Sequence, residues 1–268
     1  MSVSKNIKAG ILLAQVRGRS PVVHHLTNWV TIYDCAQVVK SLGASPVMAH
    51  ALEEVEEMSG IASSLVLNIG TLTIEFVEAM KKAARAANKK GIPVILDVCG
   101  AGATSLRDRK CLELINEVRI DIIKGNASEI GRVAGENVRT KGVDSSLVQA
   151  DIKNLAAKLA TRKECTVVVT GEIDIVTDGK RCFLVANGNE LMSKVVGTGC
   201  MAASVIGTFA AVEQDLVKAG VSGLVCFEVA AELAAKKSPG PGSFREKLFD
   251  CLYNLDAKTV SRMQKVRC

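Results

Sequence analysis

Aromatic residues are scarce in this 268-residue chain, at 3%, which removes the stacking platforms that proteins use to hold unpaired bases. No cysteines are spaced Cys-x-x-Cys, and the nine cysteines are odd in number and scattered from Cys35 to Cys268. That pattern argues against a structural zinc site or a disulfide frame. The three histidines, His24, His25 and His50, stand at no metal-binding spacing. Long apolar runs are missing as well: the apolar maximum, Met201–Val212, is well short of the roughly 20 residues a bilayer-spanning helix needs. Repeats, serine-rich linkers and composition breaks are absent, so a single domain over residues 1–268 is expected.

What the chain does have is an ordinary globular balance, 48% hydrophobic and 23% charged. Its 34 basic and 28 acidic residues leave a net charge of +6. Basic pairs such as Lys81-Lys82 and Lys89-Lys90 are interleaved with acids, which suits solvated helix faces and neither a nucleic-acid nor a membrane partner. A mildly positive field still favours encounter with small polyanions such as nucleotides. No acid precedes Asp34, a transit-peptide trait, but Ile7, Ile11 and Ala14 are predicted to share one helical face that joins the fold directly. A cytoplasmic protein with reduced cysteines is the expectation.

Short apolar runs that end in glycine or an acid alternate with longer helical patterns, the rhythm of a parallel α/β sheet. Strands are predicted at Leu65–Ile69, Val94–Leu96, Asp121–Lys124 and Thr166–Thr170, with helices at Ile74–Asn88 and Asp151–Ala160 between them. Ile173–Val176 and Arg181–Val185 flank Asp178-Gly179, a hairpin signal. From Met201 onward the chain reads as almost entirely helical. In such sheets ligands gather at the carboxyl ends of the strands. Those ends carry Asn68-Ile69-Gly70-Thr71, Asp97 to Thr104, Lys124-Gly125-Asn126 and Thr170-Gly171-Glu172.

The strongest local signal is Val196-Gly197-Thr198-Gly199-Cys200-Met201, a glycine turn opening into an apolar helix. Unpaired amides at a helix start, approached closely through glycine, suit a phosphate, although the same string also describes a plain turn before a buried helix. Neither a phosphate-loop nor a dinucleotide fingerprint is present. Cys200, on the first helical turn, is either an activated thiol or a buried inert one. Asp97 and Glu129 offer carboxylates for a hydrated Mg²⁺; Glu129 equally completes a capping box begun by Asn126, and Asp97 could serve only to fix its loop. Lys124 at the end of a buried strand needs a counter-charge, from a phosphate or from a neighbouring carboxylate. Thr170 either meets a nucleotide or simply ends its strand. Asn28 caps the next helix or lines a pocket, and Met48 belongs to the core or touches a sulfur-containing ring.

Taken in order, His25-Leu26-Thr27-Asn28, Gly43-Ala44-Ser45-Pro46-Val47-Met48-Ala49, Asn68-Ile69-Gly70-Thr71-Leu72, Gly125-Asn126-Ala127-Ser128-Glu129-Ile130, Thr170-Gly171-Glu172, Gly197-Thr198-Gly199-Cys200 and Gly240-Pro241-Gly242-Ser243-Phe244 resemble the hydroxyethylthiazole kinases of the ribokinase-like superfamily. The resemblance spans nearly the whole chain. It implies a three-layer α/β/α fold with a mainly parallel central sheet and no separate lid domain. The activity it implies is ATP-dependent, Mg²⁺-assisted phosphorylation of 4-methyl-5-(2-hydroxyethyl)thiazole in thiamine biosynthesis and salvage, by a homotrimer with active sites at subunit interfaces. By the same resemblance Asn28, Met48 and Gly197 fall on the substrate side. Lys124, Thr170, Asn126, Thr198 and Gly199 fall on the ATP side, Asp97 and Glu129 near the metal, and Cys200 at the catalytic position. Two departures stand out: Asp97-Val98-Cys99-Gly100 replaces the usual Asp-Pro-Val-Gly, and Lys124 stands where arginine is common.

Phosphoryl transfer through a loose transition state asks for alignment and charge neutralisation more than for a strong base. Amides 198 to 201 are therefore expected to hold the moving group, with Cys200 orienting the hydroxyl. A nucleotide- or thiazole-binding regulator without catalysis, and a kinase for a different alcohol, are the competing readings.

Overall fold

The computed structural model describes residues 7–135 and 145–268, the side chains of 145–150 excepted. In chain order the elements are α1 (Ala9–Arg19), β1 (Val22–Leu26), α2 (Ile32–Ser41), β2 (Ser45–Val47), α3 (Val55–Ile61), β3 (Ser64–Asn68), α4 (Ile74–Lys90), β4 (Val94–Asp97), α5 (Ser105–Glu117), β5 (Ile122–Asn126), α6 (Ala127–Ala134) and α7 (Ser145–Lys163). There follow β6 (Thr166–Thr170), β7 (Asp174–Thr177), β8 (Cys182–Val185), α8 (Thr198–Ala210), α9 (Leu216–Ala235), α10 (Pro241–Tyr253), α11 (Ala257–Met263) and β9 (Val266–Arg267).

The strands form one sheet in the order β2-β1-β3-β4-β5-β6-β7-β8-β9. Pairing is parallel from β2 through β6 and antiparallel from β6 to β9. Successive residues of each strand point to opposite faces, and both faces are apolar. Val66, Ile95, Ile122 and Val168 enter a core with α1, α2, α8, α9 and α10. Leu65, Leu67, Leu96, Ile123 and Val167 enter another with α3 to α7. The three-layer α/β/α arrangement with a mainly parallel sheet is the one the sequence implied.

Local chemistry explains the elements. In α4 the Thr73 side chain accepts from the Phe76 amide, and Gly91 at φ +78° ends the helix. Its buried face, Phe76, Val77, Met80, Ala83, Ala84 and Ala87, repeats at three- and four-residue steps. On α8 a β-carbon at Gly207 would stand 2.4 Å from Val66 Cγ2, so glycine there lets the helix lie directly on the sheet.

One expectation is corrected. The N-terminal helix does not bury Ile11 or Ala14, both exposed; Leu12, Leu13 and Val16 form its core face, and Ile7 is buried just ahead of the helix. The charged and small residues of α1 leave its amphipathic stripe ambiguous, and packing on α9 and α11 decides it. The C-terminal third is almost entirely helical, as expected, with α8 to α11 followed only by Val266 and Arg267, which pair with β8 as the last strand. Two residues held by a neighbouring edge leave too short a pattern to read. The remaining predicted strands, both helices and the hairpin are present with ends shifted by a few residues.

Candidate active site

Four adjacent strands place polar residues side by side at their carboxyl ends. The register sets Asn68 of β3 beside Asp97 of β4, Asp97 beside Lys124 of β5, and Asn126 beside Thr170 of β6. A cavity of about 1120 Å³ opens above them, with Asp97, Lys124, Asn126, Glu129 and Thr170 on one wall and Gly197, Thr198, Gly199 and Cys200 on another. The glycine turn is therefore not sealed in the interior.

Gly197 makes the turn possible in two ways. It adopts φ +92°, and a β-carbon there would stand 2.3 Å from Thr31 Cγ2. The Thr198 hydroxyl donates to Met192 O at 2.9 Å, tying the preceding loop to α8. Among the described residues, the amides of Thr198, Gly199 and Cys200 donate to no protein acceptor, whereas Met201 N donates to Gly197 O at 2.8 Å. The expected cradle of four amides, 198 to 201, is thus one of three, since the helix has already begun at Met201. Lys124 Nζ lies 3.2 Å from where a β-carbon of Gly199 would stand, so the ammonium faces this cradle.

Lys124 and Asp97 form a buried ion pair, Nζ to Oδ1 3.3 Å, with side chains 4% and 1% exposed. The lysine thus finds its counter-charge within the protein. Burial pushes Asp97 up to about 7 despite the pull of Lys124. Burial would lower Lys124, but Asp97 and Glu129 more than offset it and hold it above the usual lysine range.

A chain of side-chain bonds runs from Asp97 to Cys200. Asn68 Nδ2 donates to Asp97 Oδ2 at 2.8 Å, while Asn68 Oδ1 accepts from Gly70 N and from Asn28 Nδ2. Asn28 Nδ2 also donates to Cys200 Sγ at 3.2 Å. Asn28 Oδ1 accepts from the amide and hydroxyl of Thr31, the residue preceding α2. Asn28 therefore neither caps α2, whose N-cap is Thr31, nor lines the cavity; it braces the turn before α2 against Cys200 from behind. A hydrogen bond from Cys99, the charge of Lys124 and further bonds from Thr31 and Asn68 pull the Cys200 thiol down to about 5, against the effect of burial.

Glu129 does complete the capping box: Asn126 Oδ1 accepts from Glu129 N and Glu129 Oε2 from Asn126 N. Its Oε1 accepts from Gly100 N at 2.8 Å, so it also fixes the glycine loop after Asp97. Thr170 both ends β6 and lines the cavity, its hydroxyl donating to Gly125 O at 3.4 Å. Asn28 and Met48 are not on the cavity wall. Met48 is half-buried just past β2.

Residues not singled out from sequence complete the frame. Asn68 was visible only as a polar strand end. Arg107 donates to Ile69 O, Cys99 O and Gly70 O, clamping the loops after β3 and β4; an arginine on a helix surface carries no signal of that reach. Asp174 and Glu228 are buried on the cavity wall; 54 positions apart in sequence, they are brought to one wall only when α9 packs on β7, which spacing does not reveal.

The profile of the hydroxyethylthiazole kinase family matches residues 13–258. A hydroxyethylthiazole kinase of Methanosarcina mazei is 53% identical over 254 residues, covering 95% of this chain and 97% of that one. A solved structure of the hydroxyethylthiazole kinase protein from Pyrococcus horikoshii OT3 is 42% identical and covers 97% of this chain and 98% of that chain, with a TM-score of 0.90. A ribokinase-like superfamily protein of Enterococcus faecalis, 13% identical with a TM-score of 0.62 over 96% of this chain and 92% of its own, shares the fold. With near-complete coverage and identities of this size, the chain belongs to the hydroxyethylthiazole kinase family.

Proposed function

We propose that this protein transfers the terminal phosphoryl group of ATP to the primary hydroxyl of 4-methyl-5-(2-hydroxyethyl)thiazole, serving thiamine biosynthesis and salvage. The observation that carries the reading is the convergence on one cavity of three unused amides, at Thr198, Gly199 and Cys200, with the Lys124 ammonium and the acidified thiol of Cys200. A helix start with free amides holds phosphate oxygens without reorganising as charge moves. Cys200 receives or orients the hydroxyl proton. A group with a pKa of about 5 is a weak base, which is sufficient because proton loss lags behind phosphoryl transfer in a loose transition state.

In this reading Lys124, Thr170, Asn126, Thr198 and Gly199 hold the nucleotide, Gly197 shapes the junction between donor and acceptor, and Asn28 holds Cys200. Asp97 and Glu129 suit Mg²⁺: Asp97 is a buried carboxyl with a single cationic partner and a raised pKa, so a further positive charge is welcome there. Among the described residues no three acidic, histidine or cysteine side chains form a metal-holding group. That favours an ion held largely through waters and phosphate oxygens, where it would neutralise phosphate charge.

Met48 lies away from the cavity, and Trp29, Val30, Tyr33, Ile61 and Ile74 are exposed large hydrophobics. Both features support thiazole sites completed between subunits of a homotrimer, since apolar side chains of this size gain by being covered. All nine cysteines are free, which agrees with a reducing cytoplasm. No described helix is long and apolar enough to cross a membrane.

Purified protein incubated with Mg-ATP and the thiazole alcohol, followed by phosphorus NMR, tests the activity. A new phosphate monoester is expected. Binding of either ligand without ATP consumption would overturn the kinase reading in favour of a regulator.

A further inference from the structure

Helix α9 carries two carboxyls one turn apart, Glu228 on the cavity wall and Glu232 behind it. Glu232 Oε1 accepts from Asn187 Nδ2 at 2.9 Å, from Gly188 N at 3.2 Å and from Lys265 Nζ at 2.9 Å, pinning the loop after β8. Glu228, 5% exposed, is buried against the carboxyl of Asp174 on β7, itself 4% exposed. Asp174 Oδ1 in turn accepts from Gly171 N at 2.8 Å, fixing the Thr170-Gly171-Glu172 turn. All three of Gly171, Asp174 and Glu228 line the cavity.

Two ionised carboxylates have only acceptors and cannot hydrogen-bond each other, so this contact requires a shared proton. We propose that Glu228 is a positioning residue for nucleotide binding: it carries that proton, and through Asp174 it holds the Gly171 turn in the shape the nucleotide needs. The inference rests on the kinase reading of the cavity. Glu228 is the natural holder of the proton, because Asp174 also receives the Gly171 amide and feels the charge of Lys124 from β5, whereas Glu228 faces only Asp174 and Glu232. Its Oε2 is buried with no hydrogen-bonding partner, so no donor stabilises a carboxylate there. Burial and the neighbouring acids push Glu228 well above the usual carboxylate range. Among the groups around the pair, Glu232 is committed to Lys265 and the Asn187 loop, and Lys124 to Asp97. Loss of the proton at high pH leaves two anions in contact, which forces the Gly171 turn to move and adds negative charge beside a polyphosphate.

The test measures equilibrium binding of Mg-ATP by calorimetry, together with kcat and KM, from about pH 6 to about pH 9, for the wild type, Glu228→Gln and Glu228→Leu. In the wild type the dissociation constant and KM for ATP rise towards high pH while kcat at saturation is little changed. Glu228→Gln, whose amide still donates to Asp174, removes that rise. Glu228→Leu weakens ATP binding about tenfold relative to wild type at the low end of the range, the loss of one hydrogen bond to a charged group, and its affinity, with no proton to lose, does not fall further as pH rises. A Gln variant that keeps the wild-type pH dependence, or a folded Leu variant with unchanged ATP affinity, overturns the proposal. Should the Leu variant not fold, the carboxyl carbon-13 shift of Glu228 in the wild type decides: a carboxylate signal at neutral pH overturns it. A wild type that binds ATP but never phosphorylates the thiazole refutes the kinase reading instead, and the binding and NMR arms still report on Glu228.

Discussion

Asn28 Nδ2 stands 3.2 Å from Cys200 Sγ and 3.1 Å from Asn68 Oδ1, joining residues 172 and 40 positions away in sequence. One amide thus fixes the sulfur relative to Asn68 at the end of β3, which in turn donates to Asp97 at the end of the adjacent β4. Asn28→Ala breaks the donor to sulfur and leaves Asn68 with one partner fewer. A fall in kcat of roughly tenfold is expected, with a smaller change in KM for ATP, because a single hydrogen bond to a charged group is lost. Steady-state kinetics with each substrate varied separately will show whether the effect sits in kcat.

The Cys99 hydrogen bond and the charge of Lys124 pull the Cys200 thiol down to about 5, so a thiolate is expected across the neutral range, where a free thiol near 8.5 stays protonated. Alkylation of Cys200 by iodoacetamide, followed by peptide mass spectrometry, is therefore expected to be nearly flat from about pH 6 to about pH 8. Cys99→Val removes the hydrogen bond that contributes most to the lowering, and its alkylation should acquire a rising pH dependence. A wild-type rate that climbs tenfold per pH unit over that window would count against a thiolate.

The Lys124–Asp97 pair is almost wholly buried, and removing one partner of such a pair costs about 3 to 5 kcal/mol because the other charge is stranded. Lys124→Met should lower the melting temperature by roughly 10 °C and weaken ATP binding. Lys124→Arg, which keeps the charge beside Asp97, should retain both. Calorimetric melting with ATP titration distinguishes these outcomes.

Gly197 is constrained by conformation and by space, with φ +92° and Thr31 Cγ2 against it. Gly197→Ala is expected to reduce turnover about a hundredfold by displacing the amides that follow. Adding Thr31→Ala relieves the collision but not the strained backbone, so the double variant should regain stability without regaining full turnover. Complete recovery of turnover would show that crowding alone matters.

Folding stability should fall as pH rises through the neutral range in part because of Glu228. Its folded pKa lies above the ordinary value of 4.5, so the folded state binds more protons than the unfolded one between those two values. The contribution is fully present below about pH 4.5 and is lost as pH climbs through the folded value. Denaturant unfolding at several pH values is expected to show the advantage of Glu228→Gln over wild type growing with pH. Parallel stability curves would contradict a protonated Glu228.

Much of the frame was legible in local sequence because it obeys local physics. The apolar strands announce themselves through length and β-branching, α4 through spacing and its terminal glycine, and Asn126 with Glu129 through capping chemistry confined to four residues. What was misread or unforeseen lies where no local rule applies. The face of α1 is chosen by contact with distant helices, and β9 exists only because β8 offers an open edge.

The sequence by itself determined the alternation of strands and helices, the glycine turn before α8, the polar residues at strand ends and, through their order, the family resemblance. Each of these depends on residues within a few positions of one another. Tertiary structure alone decided that Asp97 neutralises Lys124, that Asn28 rather than a helix cap alone governs Cys200, that Met201 is already committed to the helix, and that Glu228 meets Asp174. Those relations depend on register and packing between segments far apart in the chain, where a few ångströms in the placement of a helix separate a solvated charge from a buried, functional one.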